Sequence, residues 1–151
     1  MRKQQFRGHD ERGWHYGDLL HRKTGMLHRV GITIQNGGKS VFYDCHPESI
    51  GEGTGILDIN TKKACDTCNE IFEGDIVLMP GHEFFHAEII GLVVYHHGSF
   101  VVASEPDNIE WCCKWNLYNA VYAEKAYVIG NVTENPELLR GYKKNAKPHG
   151  I

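Results

Sequence analysis

Cys65-Asp66-Thr67-Cys68 is the one local pattern in this sequence with metal-ligand spacing. Two thiolates two residues apart can take adjacent corners of a zinc tetrahedron, and completion must then come from Cys45, Cys112, Cys113 or a histidine brought close by folding. The sequence holds no second Cys-x-x-Cys, and Cys112 and Cys113 are chain neighbours, a poor geometry for gripping one ion together. A redox pair needs thioredoxin-like strand and helix surroundings, which the flanking residues lack. The expectation is a chain without a cofactor and with unligated thiols in a loop; zinc held through Cys65 and Cys68 is the alternative.

Other chemistry-bearing groups carry weaker patterns. His82 and His86 would share a helical face, but Glu83-Phe84-Phe85 leads into a strand-like run, and a zinc-protease pattern needs His-Glu and a second His on one helix. His96-His97 beside Gly98 reads as a solvated hairpin turn. Asp75 and Ser104-Glu105-Pro106-Asp107 offer carboxylates with no histidine paired to them by spacing. Gly51, Gly53 and Gly55 resemble a phosphate loop only superficially, because neither a strand-loop-helix unit nor a Lys-Ser/Thr pair follows. Phe6-Arg7, Arg12, Trp14 and Tyr16 interleave aromatic and basic groups and would suit stacking of single-stranded nucleic acid. The alternation of Trp14 and Tyr16 fits core aromatics on one sheet face better.

The elements that position these groups read as strands. Asn69 to Pro80 is the hinge of the pattern: Gly74 permits a sharp turn, Asp75 can bond local backbone, and Ile76 to Met79 form an apolar run that Pro80 ends. Trp14 to Leu20 predicts a strand with a kink or bulge at Gly17. Val30 to Ile34 and Ser40 to Asp44 flank Asn36-Gly37-Gly38, a hairpin signal. His86 to Tyr95 and Ser99 to Ala103 flank His96-His97-Gly98, a second one. Pro47 to Asn60 reads as a turn-rich connection. Val128 to Thr133 is a final strand, and Asn135 to Leu139 the first turn of a helix with proline at its first position.

With 151 residues, 41% hydrophobic, the chain can bury a real core as one domain, and 17 glycines with 11% aromatic residues favour β structure. No apolar stretch follows the basic start Met1 to Arg7, and no apolar run is long enough to span a membrane, so the expectation is a soluble cytoplasmic protein. The net charge of -3 is unevenly spread. Residues 1–40 carry eight Lys/Arg against three Asp/Glu, residues 41–139 four against sixteen, and residues 140–151 four against none. Complementary blocks of this kind can meet within a chain or between copies of it.

Several separated motifs together resemble the YopX family of phage and prophage proteins. They are Lys3-x-x-Phe6-Arg7, Trp14-x-Tyr16-Gly17-x-Leu19, Pro47-Glu48-Ser49-Ile50-Gly51 with Thr54-Gly55-Ile56, Glu70-Ile71-Phe72-Glu73-Gly74-Asp75-Ile76-Val77, and Val128 through Leu139. The resemblance implies a mostly β fold with an SH3-like barrel in the C-terminal half and an origin in a phage or integrated prophage. It supplies no catalytic residue. Asp58 to Cys68 departs from the family pattern, which makes a short Asp-x-Asn-Gly turn there.

The resulting expectation is a mainly β chain with few helical residues. A single YopX-like domain spans 1–140, with N-terminal strands and turns over 1–60, a barrel-like region over 70–132, and a basic flexible tail over 141–151. Its expected role is a non-enzymatic protein-interaction module that forms a homo-oligomer or binds an unidentified protein partner. A nucleic-acid accessory role through the basic ends, and a small metal-binding protein through Cys65 and Cys68, are the alternatives; no membrane partner is expected.

Overall fold

Two turn signals in the sequence, Gly37-Gly38 and His97-Gly98, each close a hairpin. A computed structural model of the chain describes residues 4–61, 69–81 and 87–139. The chain divides after Gly53 into two units, each taken in turn.

In the first unit, β1 (Phe6–Asp10), β2 (Gly13–Thr24), β3 (Leu27–Asn36) and β4 (Lys39–Asp44) form an antiparallel meander in the order β4-β3-β2-β1. Asn36 faces Lys39 across Gly37-Gly38, the predicted hairpin. Of the kink or bulge predicted at Gly17, no bulge occurs; β2 changes partner there. Residues 13–17 of β2 pair with β1 and residues 18–24 with β3, each ladder running without a register shift. A glycine serves there because a Cβ would press on the Thr33 carbonyl oxygen at 2.5 Å. After one 3-10 turn (Pro47–Ser49), β5 (Gly51–Leu57) starts beside β1, with Arg7 opposite Gly51 and Phe6 opposite Glu52. The turn-rich connection expected over Pro47 to Asn60 thus contains a 3-10 turn and a strand along half of its length. Its glycines fall two apart, so period-2 alternation puts Gly51 and Gly53 on the buried face.

The second unit begins as β5 continues beside β6 (Glu70–Phe72), where the Thr54 hydroxyl donates to the Ile71 carbonyl at 2.7 Å. A five-stranded antiparallel sheet follows: β7 (Asp75–Met79), β8 (Ile89–His96), β9 (Ser99–Ala103), β10 (Lys114–Asn116) and β11 (Tyr127–Asn131), in the order β10-β9-β8-β7-β11. The sheet is open, with β10 and β11 at its edges. Between them lies α1 (Leu117–Tyr122), capped by the Asn116 side chain, which accepts from the Asn119 amide.

Alternation explains why Ile76 to Met79 is apolar throughout. Val77, Met79, Val93 and Val102 point to one face and pack with Leu117, Ala120 and Val121 of α1; Ile76 and Leu92 point to the other and pack with Leu139. A strand covered on both faces has no position to give to a polar residue. Pro136 opens a 3-10 turn (Pro136–Leu138), where the first turn of a helix was expected, and this turn brings Leu138 and Leu139 to the second face. The short α1 and β10 were not expected. The polar Asn60 ties this region together, its Nδ2 donating to both Val121 O and Ala126 O at 2.8 Å. Among the described residues no helix is long and apolar enough to cross a membrane.

The Gly74 turn organises this unit. Gly74 has φ +95, its amide donates to Val93 O at 2.9 Å, and its carbonyl accepts from the Val132 amide at 2.8 Å. Asp75 Oδ2 accepts from the Phe72 amide at 2.8 Å, the local backbone bond expected of it. Any L side chain is strained at this φ. Gly74→Val should therefore cost about 1 kcal/mol or more. Urea unfolding would read this as a lower midpoint at unchanged slope, and an unchanged midpoint would remove the turn from this role.

Candidate interaction surface

Beyond Leu20, β2 pairs with β3 alone, and the two continue as a two-stranded arm. From His21 to Arg29, every residue whose side chain is described is exposed, and Met26 at the turn is fully so. The stretch contains Arg22, Lys23, Arg29, His21 and His28 and no acidic residue. Register sorts these groups by face. Arg22 lies directly opposite Arg29, and Thr24 opposite Leu27; on the other face Lys23 lies opposite His28. His21 Nδ1 and His28 Nε2 approach to 3.2 Å diagonally across that second face.

Like charges directly opposite each other destabilise a ladder. Here β4 offsets the cost: the Arg22 guanidinium lies 5.1 Å from the Phe42 ring centroid, and Arg29 Nε lies 3.6 Å from Asp44 Oδ2. These partners hold two planar guanidiniums on one face of the arm. Each has five donors in a fixed fork suited to carboxylate or phosphate, so the face can grip anionic groups. Gly31, at the root of the arm, keeps β3 and β4 close, because a Cβ there would strike the Tyr43 carbonyl and the Phe42 ring.

Below the arm, the first unit buries polar groups unusually well. Arg7, Asp10 and Ser49 are all buried, and the Arg7 guanidinium lies 4.4 Å from the Trp14 ring centroid, with His9 edge-on to the same indole. Arg7 therefore covers the indole face that a stacked base would need. Tyr16, expected with Trp14 in the core, is exposed. Arg7 and Trp14 of the grouping read from Phe6, Arg7, Arg12, Trp14 and Tyr16 are thus engaged with each other, and the exposed Lys/Arg of the first unit, among the described residues, are Arg12, Lys39 and the three on the arm. Charge spacing over residues 21–29 was the signal that could have found it.

His15 Nε2 lies 2.9 Å from Asp10 Oδ1, off the line of an aligned hydrogen bond, and its ring stacks on Tyr43 at 3.9 Å. The nearby hydroxyl is already occupied: Ser49 Oγ accepts from the His9 amide and donates to His46 O, both at 2.7 Å. Cys45 is buried, its thiol donating to Tyr43 O at 3.3 Å, and burial pushes its pKa up. These groups read as structural fastenings.

The remaining sequence candidates separate. Cys65, Cys68, His82, His86 and the tail 141–151 lie outside the described residues. Cys112 Sγ approaches the Ile109 carbonyl at 3.7 Å, and Cys113 is exposed. Asp75 locks the Gly74 turn, and Ser104 Oγ donates to Cys113 O at 3.2 Å. His96 and His97 do form the β8–β9 turn, and folding brings Glu110 beside them.

Residues 5–140 match the model of a family described as YopX protein. No curated protein is similar enough to match. Among solved structures, the crystal structure of protein EF1440 from Enterococcus faecalis is similar at 23% identity, covering 91% of this chain and 98% of that one, with a TM-score of 0.47.

The contact with His15 does most to hold the Asp10 carboxyl below its ordinary value of 3.8, and the Arg12 amide adds to it against the opposing effect of burial. A carboxyl lowered on folding contributes stability that is complete above its unfolded value and fades as pH falls through the folded one. Asp10→Asn should destabilise the chain at neutral pH and flatten the loss of stability on acidification below pH 3.8. Urea midpoints measured as a function of pH check this; parallel curves for the two chains would contradict it.

Proposed function

This chain belongs to the YopX protein family, and on that premise we propose that it is a non-enzymatic interaction module that self-associates through the arm of β2 and β3. The observation that carries the reading is the opposed pair Arg22 and Arg29, held on one face of an arm exposed on both. A basic arm has a matching surface within the same sequence. Residues 54–139 contain thirteen Asp/Glu against four Lys/Arg, so the second unit of another copy offers the carboxylates that guanidiniums recognise. Exposed Leu27 and Met26 beside the arginines add apolar area to such a contact.

The same reading takes the setting to be a phage or prophage and the compartment the cytoplasm, supported by the motif resemblance. It takes the second unit as an SH3-like barrel. The support is its connectivity, in which four strands in sequence are followed by a helical turn and a last strand that returns to pair with the first. Zinc held through Cys65 and Cys68 is a separate proposal, tested by metal content with and without Cys65→Ser.

Nucleic-acid backbone is the competing occupant of the arm. Binding of that kind weakens steeply with salt, with a slope set by the number of phosphates contacted. The acidic second unit argues against it, and the expected result is no measurable affinity for single- or double-stranded nucleic acid at low salt.

Sedimentation equilibrium of the full chain tests the leading proposal. An oligomeric mass is expected at micromolar to near-millimolar concentration, falling towards the monomer as salt rises. Arg22→Glu with Arg29→Glu should give a folded monomer, checked by an unchanged β spectrum. A monomeric wild-type chain throughout that range would defeat the proposal.

A further inference from the structure

A grouping of His96, His97 and Glu110 lies in the second unit, apart in sequence from the arm. His96 is the last residue of β8 and pairs with Ser99 of β9 across His97-Gly98. Successive residues of a strand point to opposite faces, so two adjacent histidines in a regular strand cannot reach one ion. The backbone here breaks that rule. His97 has φ +48 and Gly98 φ +89, the paired positive values of a tight two-residue hairpin turn, where asparagine rather than histidine is the common first residue. The left-handed step turns the His97 ring back towards His96. Their ring centroids lie 4.0 Å apart with planes at 70°.

The third group comes from a different element. Glu110 follows the 3-10 turn Pro106–Asn108, and its carboxylate Oε2 lies 3.6 Å from His97 Nε2. The segment that presents it is fastened on both sides. Asn108 O accepts from the Trp111 and Cys112 amides at 3.1 and 3.0 Å, and the Lys114 ammonium donates to Ile109 O at 2.6 Å and Cys112 O at 3.0 Å. Lys114 is thus engaged with carbonyl oxygens flanking Glu110.

One ligand atom from each of His96, His97 and Glu110 lies within 4.8 Å of the others. Ligand atoms around tetrahedral zinc stand about 3.3 Å apart, given metal–ligand distances of about 2.0–2.2 Å. His97 and Glu110 are exposed, so rotations that move their ligand atoms by about an ångström close the set without displacing core groups. Two imidazoles and one carboxylate are a donor set that suits zinc and its borderline neighbours better than calcium or magnesium, which prefer oxygen alone.

We infer that His96, His97 and Glu110 form a surface site for a divalent transition ion of the zinc class, with three protein ligands and water in the fourth position. The site is distinct in ligands and location in the sequence from Cys65 and Cys68. It also gives the left-handed histidine at position 97 a function, since strained backbone of this kind is often kept where geometry matters.

Untagged full-length chain carrying Cys65→Ser and Cys68→Ser, stripped of metal with chelator, is titrated with zinc chloride by calorimetry. Saturable binding of one zinc per chain is expected. His96→Ala, His97→Gly and Glu110→Gln should each weaken it at least about tenfold, His97→Gly while keeping or raising thermal stability because glycine accepts the positive φ. Cobalt bound in place of zinc should show no thiolate charge-transfer absorption. No stoichiometric binding, or affinity indifferent to all three substitutions, or a cobalt spectrum dominated by thiolate, overturns the inference.

Discussion

The second unit depends on what a single backbone position can do. At Gly74 the chain turns from β6 into β7, and both its amide and its carbonyl bond outside the turn, one to β8 and the other to the segment after β11. Asp75 then closes the turn from within by accepting the Phe72 amide. Glycine supplies the dihedral, and the aspartate supplies an acceptor that would otherwise have to come from water in a buried place. The two-sided apolar strand β7 follows at once, so the position of the turn sets which residues face α1 and which face Leu139. A slip of one residue would exchange the two sets.

The first unit solves a different problem. Its largest fully buried apolar side chain is Ile32, and much of the rest of its interior is polar: Arg7, Asp10, Ser49 and the thiol of Cys45. Burial of such groups is favourable only when each finds a partner. Arg7 has the Trp14 ring, Asp10 has the Arg12 amide and His15, and Ser49 stitches His9 to His46. These arrangements are specific rather than strongly cohesive. They fit a body that holds an arm in place while leaving its outer half exposed.

Legibility in the sequence followed the same physics. Hairpins at Gly37-Gly38 and His97-Gly98, the stop at Pro80 and the proline-led turn at Pro136 were readable because each depends on local dihedral preference. Strand β5 was not, since glycines two apart look like loop composition until the strands β1 and β6 that it joins are known. The helix α1 spans only six residues. Its Leu117, Ala120 and Val121 do follow helical spacing, but a segment that short takes its stability from packing and leaves little periodicity to detect. Glu110 was invisible as a partner of His96 and His97 because the pairing is made by the return of the chain after β9. The arm's two-sided exposure likewise arises from where β1 and β4 end.

The change of partner at Gly17 separates two kinds of sequence variation. Residues 13–17 of β2 are committed to β1, whereas beyond them β2 depends on β3 alone. The distal ladder can therefore grow or shrink without disturbing the proximal one. Because side chains alternate, adding two residues to each strand lengthens it with both faces preserved, and adding one to each swaps the two faces of what lies beyond. Reach and chemical character can thus drift independently across relatives, with even steps altering how far the protein extends and odd steps altering what it presents.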